Sequence, residues 1–75
     1  MNNIIQKIID NKHKIVGISI NDSFYEVDYI SVNEDDIILY CYTTDTRTNV
    51  TENYYFTKKD IKNAKEVKLY KLEEI

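Results

Sequence analysis

Twenty consecutive residues, Phe24 to Thr43, constrain this chain more than any other feature: FYEVDYISVNEDDIILYCYT. Apolar residues flank a short acidic interruption, Asn33-Glu34-Asp35-Asp36. Placing Glu34 and Asp35 in a two-residue turn makes the stretch a β-hairpin and fixes its register. Val32 then faces Ile37, Ser31 faces Ile38, Ile30 faces Leu39, Tyr29 faces Tyr40, Asp28 faces Cys41 and Val27 faces Tyr42. Side chains alternate faces along a strand. One face therefore holds Ile30, Val32, Ile37, Leu39 and Cys41, and the other holds Val27, Tyr29, Ile38, Tyr40 and Tyr42.

A solvated hairpin is ordinarily apolar on one side only. The aliphatic face is the better core, because tyrosine hydroxyls seek water or a polar partner. Tyr29, Tyr40 and Tyr42 then form a contact surface, unless the N-terminal helix or a sharp bend in the strand covers them. The apolar parity of the second strand shifts between Tyr29 and Ile30, as a bulge or bend requires.

The rest of the chain supplies shorter elements. Asn3 and Gln6 form a capping-box pattern ahead of Ile4, Ile5, Ile8 and Ile9, which recur at helical spacing. The helix spans about residues 3–11, with Asn11 able to end it in the left-handed conformation. Strands are expected over 14–20, 24–33, 36–43, 51–57 and 66–72, with 44–50 as a polar loop. Gly17 marks a close approach or a bulge, and Asn21-Asp22-Ser23 a turn. Thr57-Lys58-Lys59-Asp60 forms a second capping-box pattern, opening one helical turn before the last strand. Glu73-Glu74-Ile75 is read as a tail. Residues 1–75 make one domain, mostly β. The order of helix, four strands, helical turn and final strand resembles the SH3-like barrels, and the added N-terminal helix resembles their Sm-like relatives. The resemblance implies a small closed five-stranded barrel. It implies no function, since that class hosts many.

Charge is unevenly placed. Lys7, Lys12 and Lys14 against Asp10 give residues 1–20 a net of +2. Residues 21–57 carry eight acids against Arg47, a net of −7. Residues 58–75 return to +2 through six lysines against Asp60, Glu66, Glu73 and Glu74. The tyrosine-rich hairpin is thus acidic, the wrong sign for gripping phosphates. A small acidic chain without enzymatic motifs resembles many phage proteins that block bacterial immunity, of the anti-CRISPR type. That resemblance implies an inhibitor that imitates nucleic acid and covers a basic surface on a larger nucleic-acid-handling host protein. Tyr29, Tyr40 and Tyr42 are the expected anchors. Glu26, Asp28, Glu34, Asp35, Asp36 and Asp45 are the expected complementary charges. The alternative is a homo-oligomeric barrel that traps a small nucleotide-like ligand between tyrosine rings.

Other chemistry has little support. Only one Cys and one His occur, so neither a disulfide nor a zinc site is expected. Cys41 lies mid-strand among apolar residues and His13 among lysines, which makes a thiolate pair a poor expectation. The acidic turn lacks the Gly and the ligand alternation of a calcium loop. No cofactor, no membrane partner and no direct nucleic-acid contact are expected. The single Cys and the lack of a signal-peptide pattern fit a reducing bacterial cytoplasm.

Overall fold

A computed structural model describes residues 4–34 and 36–71. The expected cap Asn3, the turn residue Asp35, Leu72 and the tail at 73–75 lie outside the described residues. The chain runs α1 (Ile4–Asp10), β1 (Ile15–Ile20), β2 (Ser23–Val32), β3 (Ile37–Asp45), β4 (Val50–Thr57), α2 (Lys58–Asn63) and β5 (Val67–Lys71). All pairings are antiparallel, in the order β4-β3-β2-β1-β5.

Seven residues of α1 are too few to persist alone. Packing holds it: Ile8 is fully buried in the core, with Ile4, Ile5 and Ile9 against it. Asn11 does not take the expected left-handed conformation. Its main-chain N–H and its Nδ2 both donate to the Lys7 carbonyl, at 3.1 and 2.8 Å. Its own carbonyl accepts the N–H groups of Lys14 and Ile15. The amide side chain thus satisfies the terminal carbonyl that a left-handed residue would otherwise serve.

Asn21 and Asp22 have φ of 50° and 72° and link β1 to β2 in two residues, with Ile20 paired to Ser23. Asn and Asp tolerate that region, and two consecutive positive φ values suit the twist of a tight hairpin. Asn21 also holds the far side of the fold. Its Oδ1 accepts the N–H groups of Lys65 and Glu66 at 2.8 and 3.1 Å, and its N–H donates to the Glu66 carbonyl.

The β2–β3 hairpin keeps the expected register from Val32–Ile37 to Tyr29–Tyr40. The Asn33 N–H donates to the Asp36 carbonyl at 2.9 Å. Past Tyr29 the register shifts, so Val27 faces Cys41 and Glu26 faces Tyr42. The expected pairs Asp28–Cys41 and Val27–Tyr42 are not made. An uninterrupted ladder would set the Asp28 carboxylate against buried Cys41, at a heavy desolvation cost. Asp28 is instead the extra residue of a bulge and is exposed, while Val27 packs against the core.

The expected loop at 44–50 contracts to residues 46–49, because β3 and β4 pair as far as Asp45–Val50. Thr44 and Thr51 hydroxyls meet at 3.2 Å. Asn49, at φ 61°, turns the chain back and donates its N–H to the Asp45 carbonyl. Threonine is polar but β-branched, so these residues extend the ladder. The capping box of α2 forms as expected: Thr57 Oγ1 accepts the Asp60 N–H, and Asp60 Oδ2 accepts the Thr57 N–H at 2.9 Å.

The expected barrel closure is not made, since β4 and β5 stay at opposite edges of one open sheet. The chain crosses from one edge to the other through α2, which contributes Ile61 to the core. Ile8, Ile15, Ile18, Ile30, Ile37, Leu39, Cys41 and Ile61 are the buried core, so both helices contribute to the aliphatic side. No described helix is long and apolar enough to cross a membrane.

Gly17 carries both expected features. The β1–β5 register shifts between Ile15 and Gly17. A Cβ built on Gly17 would lie 2.7 Å from the Phe24 ring, which covers it edge-on to Tyr70 at 5.3 Å. Gly17→Ala should therefore push the Phe24 ring aside and cost about 1 kcal/mol, a cost that vanishes in a Phe24→Ala background. Urea denaturation of the double-mutant cycle measures this coupling, and additive costs would mean the two residues do not interact.

Candidate functional site

The outer face of the sheet carries a ladder of tyrosines. Tyr29 on β2 pairs with Tyr40 on β3, and Tyr40 pairs with Tyr55 on β4. Tyr29 and Tyr40 stack at 5.8 Å and 29°, while Tyr40 meets Tyr55 edge to face at 5.5 Å. Tyr40 is half-buried between neighbours that are 61% and 67% exposed. An aromatic side chain buries roughly 150–250 Å² when wholly covered, and Tyr29 and Tyr55 keep more than half of their surface open to a partner.

The next register line along the same face reads Tyr70, Gly17, Glu26, Tyr42 and Asn53 across β5 to β4. Phe24 lies over Gly17 beside Tyr70. An aromatic surface therefore spans the sheet, with the exposed Glu26 carboxylate in its middle and exposed Asp28 at the bulge. The inner face uses the same residue types differently. Tyr25 packs against Tyr54 and Phe56 at 5.0 and 4.8 Å, joining β2 to β4 over the small side chain of Cys41.

The expected anchors Tyr29, Tyr40 and Tyr42 thus share one face, with Glu26 and Asp28 beside them. The other acids are dispersed. Glu34 and Asp36 sit at the hairpin tip, where Asp36 Oδ1 accepts the Ile37 N–H at 2.8 Å. Asp45 ends β3 about 30 Å away, at the usual rise per residue of a strand. It accepts the Arg47 N–H at 2.9 Å and faces the Arg47 guanidinium at 3.8 Å. Among the described residues no three His, Cys, Asp or Glu side chains converge as metal ligands.

Tyr55, Phe24 and Tyr70 belong to the surface although the hairpin alone does not point to them. The alternation in β4, with Tyr54 and Phe56 opposed to Asn53 and Tyr55, is the signal for Tyr55. Phe24 and Tyr70 meet only because β1 lies between their strands.

His13 is exposed on the turn after α1, whereas Cys41 is buried in the core. Burial pushes the Cys41 thiol up to about 11. A thiol held protonated is the reverse of an activated nucleophile.

No family model matches this chain, and no curated protein or solved structure is similar to it.

The raised thiol pKa has a consequence for stability. The folded chain keeps the Cys41 proton in a range where the unfolded chain has released it. That contribution is whole below about pH 9 and is lost as pH rises to about 11. The melting temperature of the wild-type chain should fall more steeply across that window than that of Cys41→Ala. Equal slopes would show that this proton is not linked to folding.

Proposed function

We propose that this chain is a non-enzymatic binding protein whose tyrosine face covers a basic surface on a larger, nucleic-acid-handling host protein. The solvent-open ladder Tyr29–Tyr40–Tyr55, with Glu26 and Asp28 beside it, carries this reading. Tyrosine is favoured at binding hot spots, and its ring face attracts Arg and Lys. Carboxylates next to the rings raise the preference for cations and oppose phosphates. Glu34, Asp35 and Asp36 act in steering rather than in the contact itself. Both helices contribute their buried isoleucines to the inner side of the open five-stranded sheet, which supports a reading in which the outer face meets a partner. In this reading the chain is a phage or mobile-element inhibitor of the anti-CRISPR type, acting in the bacterial cytoplasm.

The test is capture from a bacterial host lysate on the immobilised chain, followed by elution with salt. A retained nucleic-acid-handling protein should be displaced by its own nucleic acid. Tyr29→Ala with Tyr55→Ala should weaken its binding about thirtyfold, in line with hot-spot truncation. Reversing Glu34, Asp35 and Asp36 to lysine should slow association and flatten its salt dependence. Retention indifferent to the tyrosines would overturn the assignment of the face.

The alternative, a homo-oligomer that holds a nucleotide-like ligand, meets one constraint. Tyr29 and Tyr40 stand 5.8 Å apart, less than the two van der Waals gaps of about 7 Å that an inserted base needs. A ligand would have to lie between rings of different subunits. Native mass spectrometry tests this: a bare monomer removes the alternative, and a ligand-bearing oligomer displaces the inhibitor reading.

A further inference from the structure

A second surface has the opposite charge. Lys7 and Asn11 on one side, and the whole of β5 on the other, line a groove of about 640 Å³. Three ammonium groups, Lys7, Lys68 and Lys71, border it, and no carboxylate does among the described residues. None of the three is ion-paired among the described residues.

Among the described residues β5 pairs only with β1 and forms the edge of the sheet. Alternate residues of such a strand turn their N–H and C=O groups outward, along this groove. Val67 and Leu69 are half-buried at alternate positions in the groove wall.

From these observations we propose that the β5 edge takes an extended acidic peptide as a sixth strand. Main-chain hydrogen bonds supply the pairing, as in other strand additions. Val67 and Leu69 receive alternate apolar side chains, Lys68 pairs with a carboxylate between them, and Lys7 and Lys71 set the positive sign of the groove. The same lysines repel a second β5 edge, a common protection of open strands, so they select the sign of what is admitted. A nucleic acid would satisfy the lysines but has no main-chain groups at strand spacing. β5 is five residues long, about 17 Å, which sets a peptide of five or six residues.

The probe is a capped six-residue peptide alternating valine and glutamate, titrated against the full chain by calorimetry and amide NMR. Binding should shift the amides of residues 67–71. It should weaken at least tenfold when alternate peptide amides are N-methylated. Lys68→Glu with Lys71→Glu should lose the acidic peptide at least tenfold and gain a valine–lysine peptide, with an unchanged circular dichroism spectrum. Tyr29→Ala with Tyr55→Ala should leave the affinity unchanged, so this site stands or falls separately from the tyrosine face. Equal binding of the N-methylated peptide would reduce the site to ionic attraction and overturn the strand addition. Displacement of the peptide by an equimolar ten-nucleotide oligo(dT) would assign the groove to nucleic acid. Self-association that is abolished by the lysine reversals would assign it to a second copy.

Discussion

The bulge at Asp28 sets the two faces of this sheet. Before it, β2 sends Tyr25 and Val27 inward; after it, Ile30 and Val32 point inward and Tyr29 points out. One extra residue exchanges the parity of the strand. Without it, the Asp28 carboxylate would enter the core beside Cys41 and Val27 would be left on the outer face. With it, both halves of a ten-residue strand contribute aliphatic side chains to one core and leave Tyr29 free to stack on Tyr40.

Once that core face is fixed, the helices follow. Ile8 and Ile61 are both fully buried, and each short helix depends on the sheet that it covers. Small domains bury little surface, so two fully buried isoleucines delivered by helices are a sizeable part of this core. Asn21 ties the ends together through three hydrogen bonds to residues 65 and 66. It aligns β5 beside β1 although the two strands are far apart in the chain.

Both helices serve the inner side, which leaves the outer side to its own side chains. There the rings stabilise one another across strands, and Gly17 gives the Phe24 ring a place to lie. The charge is separated as well. Acids gather on β2 and the connections of β3, while lysines gather on α2, β5 and the end of α1. The molecule thus presents two surfaces of opposite electrostatic character, which favours two different kinds of contact.

Local sequence determined a good deal. The helical spacing of the isoleucines, the Thr57–Asp60 capping box and the hairpin register from Val32 to Tyr29 each depend on residues close in the chain, where alternation and capping chemistry are decisive. The grouping of Tyr29, Tyr40 and Tyr42 was legible for the same reason. Tertiary structure decided the rest. The position of the bulge turned on the cost of burying Asp28 against Cys41, a residue thirteen places away. Membership of Tyr55, Phe24 and Tyr70 in the outer face required the pairings β3–β4, β1–β2 and β1–β5. The open sheet, in place of a closed barrel, depends on β4 and β5 staying unpaired at opposite edges. Strand periodicity records which side of a strand is apolar, but the partners of its edges are set by packing among distant segments.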